Sequence, residues 1–395
     1  MTKIIKHYRD VKKAIRKSIL PDSYFVSKYS FSPYMACEHA CKYCDGRAEK
    51  YHVEGDYEKD IVVRENIPHI LASELPKLRE PGTIIIGSGI SDSYQPVESE
   101  EMLMRKSAKI LLEHNFPVCV MTKSSLVERD LDIWKQLNKK NGFTLVMSLT
   151  FTDDKHRKIF EPGASTVEER LATLELFKNE NISTGVLAMP FLPHISDNEE
   201  NIHNLMEKLK EIKVDYVLPG LLTLRPGKQK DIFMNEIKQH YPELFSEYEQ
   251  LYSNELRSGI PVYDYRREKF ILAEKIIAES GLNEEVPHYI YHNKFAIYDE
   301  IFILLSHMIK LYSRRNISIK RLKSAYHKFA GWLKEEKKYF NRRRSINYND
   351  IENKIYYLFE NNGFEKLIGN KKLTDFLRKV VLEHKEFDYQ KLKIK

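Results

Sequence analysis

Between residues 24 and 222, short apolar runs rich in β-branched residues alternate with segments whose apolar positions recur every three to four residues. A run of strand period followed by a segment of helix period, repeated along a chain, marks strand–helix units that share a parallel sheet. The pattern predicts strands over 24–31, 83–86, 117–121, 143–149, 183–188 and 214–218. It predicts helices around 67–79, 98–113, 128–139, 167–178 and 198–211. Helix-start chemistry supports this register. Ser165 or Thr166 stands ahead of Glu168 and Glu169, and Ser196 and Asp197 stand ahead of Glu199 and Glu200, so capping side chains precede acidic first turns. The expected fold class is α/β, an open (βα)6 partial TIM barrel over 24–262, with 1–23 as an N-terminal helical extension.

Beyond residue 263 the alternation stops, and long charged segments of helical period with few Pro or Gly predict a helical C-terminal unit over 263–395. The net charge of +7 is modest for 395 residues, but it is concentrated. Across 310–344 the cations are Lys310, Arg314, Arg315, Lys320, Arg321, Lys323, Lys328, Lys334, Lys337, Lys338, Arg342, Arg343 and Arg344, opposed by Glu335 and Glu336. With Tyr326, Trp332, Tyr339 and Phe340 interleaved, the segment could track a phosphate backbone and stack bases; the alternative is a solvated helix face. The 42% hydrophobic and 31% charged content suits one large core plus a smaller unit. No stretch approaches the roughly 20 apolar residues of a spanning helix, and the N-terminus is too charged for a signal peptide, so no membrane association and a cytoplasmic location are expected.

Chemistry enters with the cysteines. Three of the four, Cys37, Cys41 and Cys44, fall inside eight residues as a C-x3-C-x2-C triplet. Such close neighbours make a poor disulfide framework, and a metal or cluster fits better. Three thiolates on a 4Fe-4S cluster leave one iron without a protein ligand, free to take a substrate. Two other readings stand beside this one: a zinc site of the three thiols with His39 or His52, and a chance group of buried thiols. Zinc knuckles favour paired C-x2-C units, whereas here an x3 gap comes first and Tyr43 precedes the last cysteine. Cys119 could close the cluster as a fourth ligand and turn it into an electron-transfer centre, but its setting, Pro117-Val118-Cys119-Val120-Met121, reads instead as a strand interior. Further unusual residues gather where the predicted strands end, at 87–94, 122–125, 148–152 and 189–194, the positions where parallel sheets collect working groups.

Six ordered segments, SPYMACEHACKYCDGR, IIIGSGISDSYQPVE, PVCVMTKSSLVERD, VMSLTF, FEPGASTVEERLATL and GVLAMPFLPHISD, make the chain resemble the radical S-adenosylmethionine (SAM) proteins related to spore photoproduct lyase, often labelled DNA repair photolyase-like. The likeness spans about 24–275. It implies a 4Fe-4S cluster held by Cys37, Cys41 and Cys44, with S-adenosylmethionine chelating the open iron and cleaved reductively to a 5′-deoxyadenosyl radical. It implies cofactor contacts from Tyr43, Ser88, Gly89, Ser91, Asp92, Lys123, Ser148 and Thr150, with Lys123 meeting a carboxylate or the ribose. Arg157 and Glu161 would lie near the same rim. Gln95 and Glu98 belong to a shared segment without a clear task, and Glu98 could simply cap a helix. A reducing partner such as flavodoxin or ferredoxin is implied as well.

One departure matters. Spore photoproduct lyases carry a further cysteine just after the second strand as hydrogen-atom donor, whereas 86–92 here reads IGSGISD. Serine and glycine are poor donors, so thymine-dimer repair by that route is in doubt. Tyr94 or Tyr43 could substitute, and Tyr94 and Lys123 are the catalytic candidates. The expected function is a radical SAM enzyme abstracting hydrogen from a nucleic acid or nucleotide. The alternatives are a peptide or small metabolite as substrate, or an iron-sulfur or zinc protein that binds nucleic acid without radical chemistry.

Overall fold

The computed structural model describes residues 4–87, 90–342 and 348–395, with 340–342 as backbone only. All six expected strands are present. The strands are β1 (Ile5–Tyr8), β2 (Arg16–Asp22), β3 (Ser27–Phe31), β4 (Tyr34–Met35), β5 (Asp60–Val63), β6 (Ile84–Ile86), β7 (Val118–Thr122), β8 (Phe143–Ser148), β9 (Ser183–Phe191) and β10 (Tyr216–Leu221). A curled seven-stranded sheet runs in the order β10-β9-β8-β7-β6-β3-β2, and β1-β5-β4 form a second, three-stranded sheet. β7 to β10 are parallel in register, with Val118 opposite Phe143 and Thr144 opposite Ser183. Every residue of β8 is buried, as a parallel strand covered on both faces requires. The fold is the α/β partial barrel expected, followed by helices.

The barrel's helices are α1 (Ile67–Glu74), α2 (Glu98–Glu101), α3 (Leu103–Leu112), α4 (Leu131–Lys140), α5 (Asp154–Phe160), α6 (Val167–Asn179), α7 (Glu199–Ile212), α8 (Lys228–His240), α9 (Phe245–Leu251) and α10 (Tyr263–Ser280). Thr166 caps α6 in a full capping box with Glu169, and Asn198 caps α7. Trp134 of α4 stacks on Phe143 of β8 with centroids 4.6 Å apart, so the helix layer seals onto the sheet through aromatic area.

Two expectations differ from this fold. Residues 1–23 contain strands rather than a helical extension: β1 pairs parallel with β5, Ile5 opposite Asp60, and β2 pairs antiparallel with β3. β1 takes its conformation from a partner distant along the chain and β2 from a hairpin with the neighbouring β3, and local helical periodicity reports neither. The chain also divides into compact units along other lines than a break at 262/263. The first unit comprises Met1–Ala14, Phe31–Glu74 and Ile86–Glu284; the second comprises Ile15–Ser30, Leu75–Ile85 and Glu285–Lys395. α10 thus belongs to the first unit, where it packs on α7 and β10 through Ala273, Ile276 and Ile277.

The second unit is mainly helical: α11 (His288–Tyr291), α12 (Ile297–Arg314), α13 (Lys320–Arg342), α14 (Tyr348–Glu360), α15 (Gly363–Ile368) and α16 (Lys371–Val381). Its interior holds a buried ionic group. Lys28 Nζ lies 2.9 Å from Asp299 Oδ2, and Lys337 Nζ lies 2.8 Å from both Glu80 Oε1 and Asp299 Oδ1. Lys17 also pairs with Glu80, and Tyr298 Oη donates to Glu80 at 2.8 Å. Burial alone would raise the Glu80 pKa, but Lys337, Lys28 and Lys17 outweigh it and bring it down to about 2.

Candidate metal centre

β4 delivers the chain into the cysteine loop, which folds on itself through Ala40 N–H to Cys37 O at 3.2 Å and Cys44 N–H to Cys41 O at 3.3 Å. Ala36 and Ala40 sit at φ of 63° and 55°, left-handed turns whose cost a small side chain keeps low. Cys37 and Cys41 are buried and Cys44 is half-buried. Burial pushes the Cys37 thiol well up and the Cys41 thiol up to about 12, so ionisation of these thiols calls for a bound cation. Among the described residues, three potential ligand atoms also lie close together at His288, His292 and Glu300. A single zinc ion would need thiolates roughly 3.8 Å apart, from Zn–S bonds of about 2.3 Å in a tetrahedron. Three thiols without a fourth cysteine in the loop suit a cluster with one iron left open.

The loop is clamped from several sides. Arg47 donates from Nε to Cys41 O at 2.8 Å and from Nη2 to Ala40 O at 3.0 Å. Gln95 accepts from Glu38 N–H at 2.8 Å and donates to Ala36 O at 3.2 Å, which gives this residue a definite task. The 160–164 turn docks on the loop through Lys42 N–H to Phe160 O at 2.9 Å and Gly163 N–H to His39 O at 3.0 Å. Arg157 holds that turn by donating to Glu161 O and Ala164 O. Gln229, fully buried on α8, donates to Tyr43 O at 2.9 Å. Arg47 and Gln229 escaped sequence reasoning. Arg47 stood inside a matched segment without a charge partner in view, and nothing in the sequence joins Gln229 to residue 43.

A buried polar set adjoins the thiols. Tyr43 Oη donates to Glu161, and Arg170 Nη2 reaches the same carboxylate at 2.5 Å. Burial disfavours the Glu161 charge, but Arg170 and Lys123 outweigh it and hold its pKa below the ordinary range. Burial likewise opposes a charge on Lys123, and Glu161 together with the Cys41 and Cys44 sulfurs outweighs it, leaving the pKa raised. The Lys123 ammonium lies 5.8 Å from the Tyr43 ring centroid. Asp92 accepts from Thr122 Oγ1 and from Lys123 N–H, each at 2.7 Å, and sits 3.4 Å from His39 Nδ1. Its carboxylate therefore ties the end of β7 to the cysteine loop, and His39 faces this carboxylate.

The remaining candidates divide. Ser91 Oγ accepts from Gln95, the Ser148 carbonyl accepts from Arg170, and Thr150 Oγ1, past the end of β8, is buried without a hydrogen-bond partner. Ser88 and Gly89 lie outside the described residues. Tyr94 is fully buried. It donates to Asp130, just ahead of α4, at 3.0 Å and accepts from Trp134 Nε1 of α4 at 3.1 Å, so its phenol is held in a buried hydrogen-bonded set. Glu98 accepts from Met104 N–H in the first turn of α3 as well as from Tyr34 and Arg129, a capping and anchoring role. Cys119 is buried in β7, where burial raises its pKa to about 12.

The group at His288, His292 and Glu300 reads differently. His288 Nδ1 accepts from Phe387 N–H at 3.0 Å, so its proton sits on Nε2, 2.9 Å from Glu300 Oε1. A metal on Nε2 would need both ring nitrogens stripped of protons, so this is a hydrogen-bonded network.

Residues 31–206 match the family model described as the Radical SAM superfamily. An uncharacterised protein of Mycobacterium tuberculosis (strain ATCC 25618 / H37Rv) is 28% identical over 231 residues, 57% of this chain and 67% of the relative. An uncharacterised protein of Methanocaldococcus jannaschii is 26% identical over 236 residues, 60% of this chain and 85% of the relative. Among solved structures, a tyrosine-to-phenylalanine mutant of spore photoproduct lyase is similar in fold, with a TM-score of 0.50 at 16% identity, covering 69% of this chain and 79% of that one.

Proposed function

We propose, from the match of residues 31–206 to the Radical SAM superfamily model, that the chain is a radical SAM enzyme holding a 4Fe-4S cluster on Cys37, Cys41 and Cys44 together with S-adenosylmethionine. Bound there, the pair would supply a 5′-deoxyadenosyl radical on one-electron reduction. The observation that carries this reading is the Cys37, Cys41 and Cys44 triplet on one loop inside the matched segment, two of its thiols buried and one half-buried, with no fourth cysteine in the loop.

The chain's own residues would hold and shield the cofactors. Arg47, Gln95 and the 160–164 turn fix the loop that presents the thiols. Lys123 keeps a buried positive charge beside them, suited to a carboxylate, with Glu161 balancing it. Thr150 offers an unspent hydroxyl, with Ser148 nearby, for ribose hydroxyls. Asp92 acts through Thr122 and Lys123 and so positions the site. A reducing partner such as flavodoxin or ferredoxin would deliver the electron.

For the substrate we propose a nucleic acid or nucleotide. The motif likeness to spore photoproduct lyase relatives supports it, as does the exposed basic face of α13. Lesion repair by thiol-mediated hydrogen return is not part of the proposal, since 86–92 has no cysteine.

Anaerobically reconstituted protein given reductant and S-adenosylmethionine is expected to release 5′-deoxyadenosine, and its electron spin resonance signal is expected to change when the cofactor is added. A cluster signal indifferent to the cofactor would sink the enzyme reading. Cys41→Ala is expected to abolish the cluster and Cys119→Ala to leave it intact. An equal need for Cys119 would displace the open-iron assignment.

A further inference from the structure

Tyr57 lies outside every motif, yet its phenol oxygen sits 3.0 Å from Cys44 Sγ. The same oxygen is 3.1 Å from Ile90 O, so one proton faces two acceptors. The contact is built into the fold. A Cβ on Gly46 would come within 2.5 Å of the Tyr57 oxygen, so glycine two residues past Cys44 leaves the room that the hydroxyl occupies. The Arg47 guanidinium lies 5.0 Å from the ring centroid on the neighbouring residue, and the Tyr57 carbonyl accepts Cys37 N–H at 3.1 Å. Tyr57 thus touches the loop at both ends of the triplet.

We propose that the Tyr57 hydroxyl donates a hydrogen bond to the Cys44 thiolate of the bound cluster and raises the cluster's reduction potential. The inference rests on the cluster reading above. A ligating thiolate is a better acceptor than an amide carbonyl, so the single proton goes to sulfur. Reduction adds negative charge to the cluster and its sulfurs, and a donor at sulfur stabilises the reduced form more than the oxidised one. Tyr57 is a positioning and tuning residue in this role. Tyr57 also lines a cavity of ≈ 670 Å³ with Gly46, Arg47, Glu58 and Lys228.

The test uses the full chain, reconstituted anaerobically, as unmodified protein and as Tyr57→Phe. Iron bound per chain is measured first, then the reduced fraction by electron spin resonance at a fixed potential. Tyr57→Phe is expected to bind the same iron and to show a ratio of reduced to oxidised cluster about fivefold lower, the scale of one net hydrogen bond. An unchanged ratio overturns the proposal, and so does loss of iron in the variant, because a tuning residue leaves the cluster assembled. Resonance Raman spectra in H2O and D2O give an independent readout. The Fe–S stretches of the unmodified protein are expected to shift on deuteration and those of Tyr57→Phe to shift less, whereas equal shifts overturn it. Failure of the unmodified protein to take up iron at all would sink the cluster reading itself, a result distinct from an assembled cluster with an unmoved potential.

Discussion

Gly163 shows how a single residue without a side chain can control the metal loop. A Cβ there would lie 2.2 Å from Glu38 O and 3.0 Å from His39 Cα, both backbone atoms that cannot rotate aside. Gly163→Ala must therefore push the 160–164 turn off the cysteine loop and break the Gly163 N–H to His39 O bond. The expected cost is about 1–3 kcal/mol of stability, as for other overpacked sites, with bound iron per chain falling by more than half. Iron analysis and a denaturant titration measure the two effects, and normal iron with normal stability would refute the argument. At this scale the sequence was legible for the thiols, whose spacing is their chemistry. It was silent on the Tyr94 hydroxyl, because a residue's address at a strand end does not say where its hydroxyl goes: Asp130, just ahead of α4, and Trp134 within it both bond the phenol. Asp92 was legible as a site residue, but its use as a tie between Thr122, Lys123 and His39 depends on neighbours that only the fold supplies.

Elements followed the periodicity where burial decided them. β8 is buried throughout and apolar but for Thr144 and Ser148, and the capping signals at Thr166 and near Asn198 start helices where they were expected. β1 was missed because its partner β5 is distant along the chain, and β2 because its hairpin with β3 is fixed by pairing rather than by an apolar period. α13 was legible as a helix but only partly as a basic one, since Lys337 turns inward to Glu80 and Asp299. That inward lysine yields a prediction. Lys337→Met removes one cation from a buried group and leaves the two carboxylates facing Lys28 and Lys17, with an expected cost of roughly 3–5 kcal/mol. The pH dependence has a definite sign. The folded Glu80 pKa of about 2 is below the unfolded value near 4.3, so its contribution is fully present above about pH 4.3 and is lost as pH falls toward 2. Denaturant midpoints between pH 6 and 2.5 are expected to fall less steeply in Lys337→Met than in the unmodified protein. Parallel slopes would exclude the pairing as a source of acid lability.

For the whole molecule, the decisive quantity is where the net charge of +7 resides. Among the described residues, no helix is long and apolar enough to cross a membrane. The 310–344 segment is less uniformly free than its composition suggests. Lys310 and Arg314 pair with Glu285 at 2.8 and 3.0 Å, Lys337 is buried, and Arg343 and Arg344 lie outside the described residues, as does the side chain of Arg342. Of the interleaved aromatics, Tyr326 packs on Phe302 and Trp332 on Phe329, while Tyr339 stays exposed and Phe340 falls outside the described side chains. What remains on α13 is an exposed set of Lys320, Arg321, Lys323, Lys328, Lys334 and Lys338. Such a face can neutralise phosphates but offers little base stacking, so any binding through it should depend steeply on salt and weakly on base sequence. Each phosphate contact on a duplex contributes about −0.9 to the slope of log K against log salt. Replacing Lys320, Arg321, Lys328 and Lys334 by Ala is therefore expected to make the measured slope shallower by up to about 3.6. Fluorescence anisotropy with a labelled duplex across a salt series reads this directly. A slope that is flat in the unmodified protein, or unchanged by the four substitutions, would mean that α13 is a solvated surface and that the substrate must be sought among molecules without a phosphate backbone.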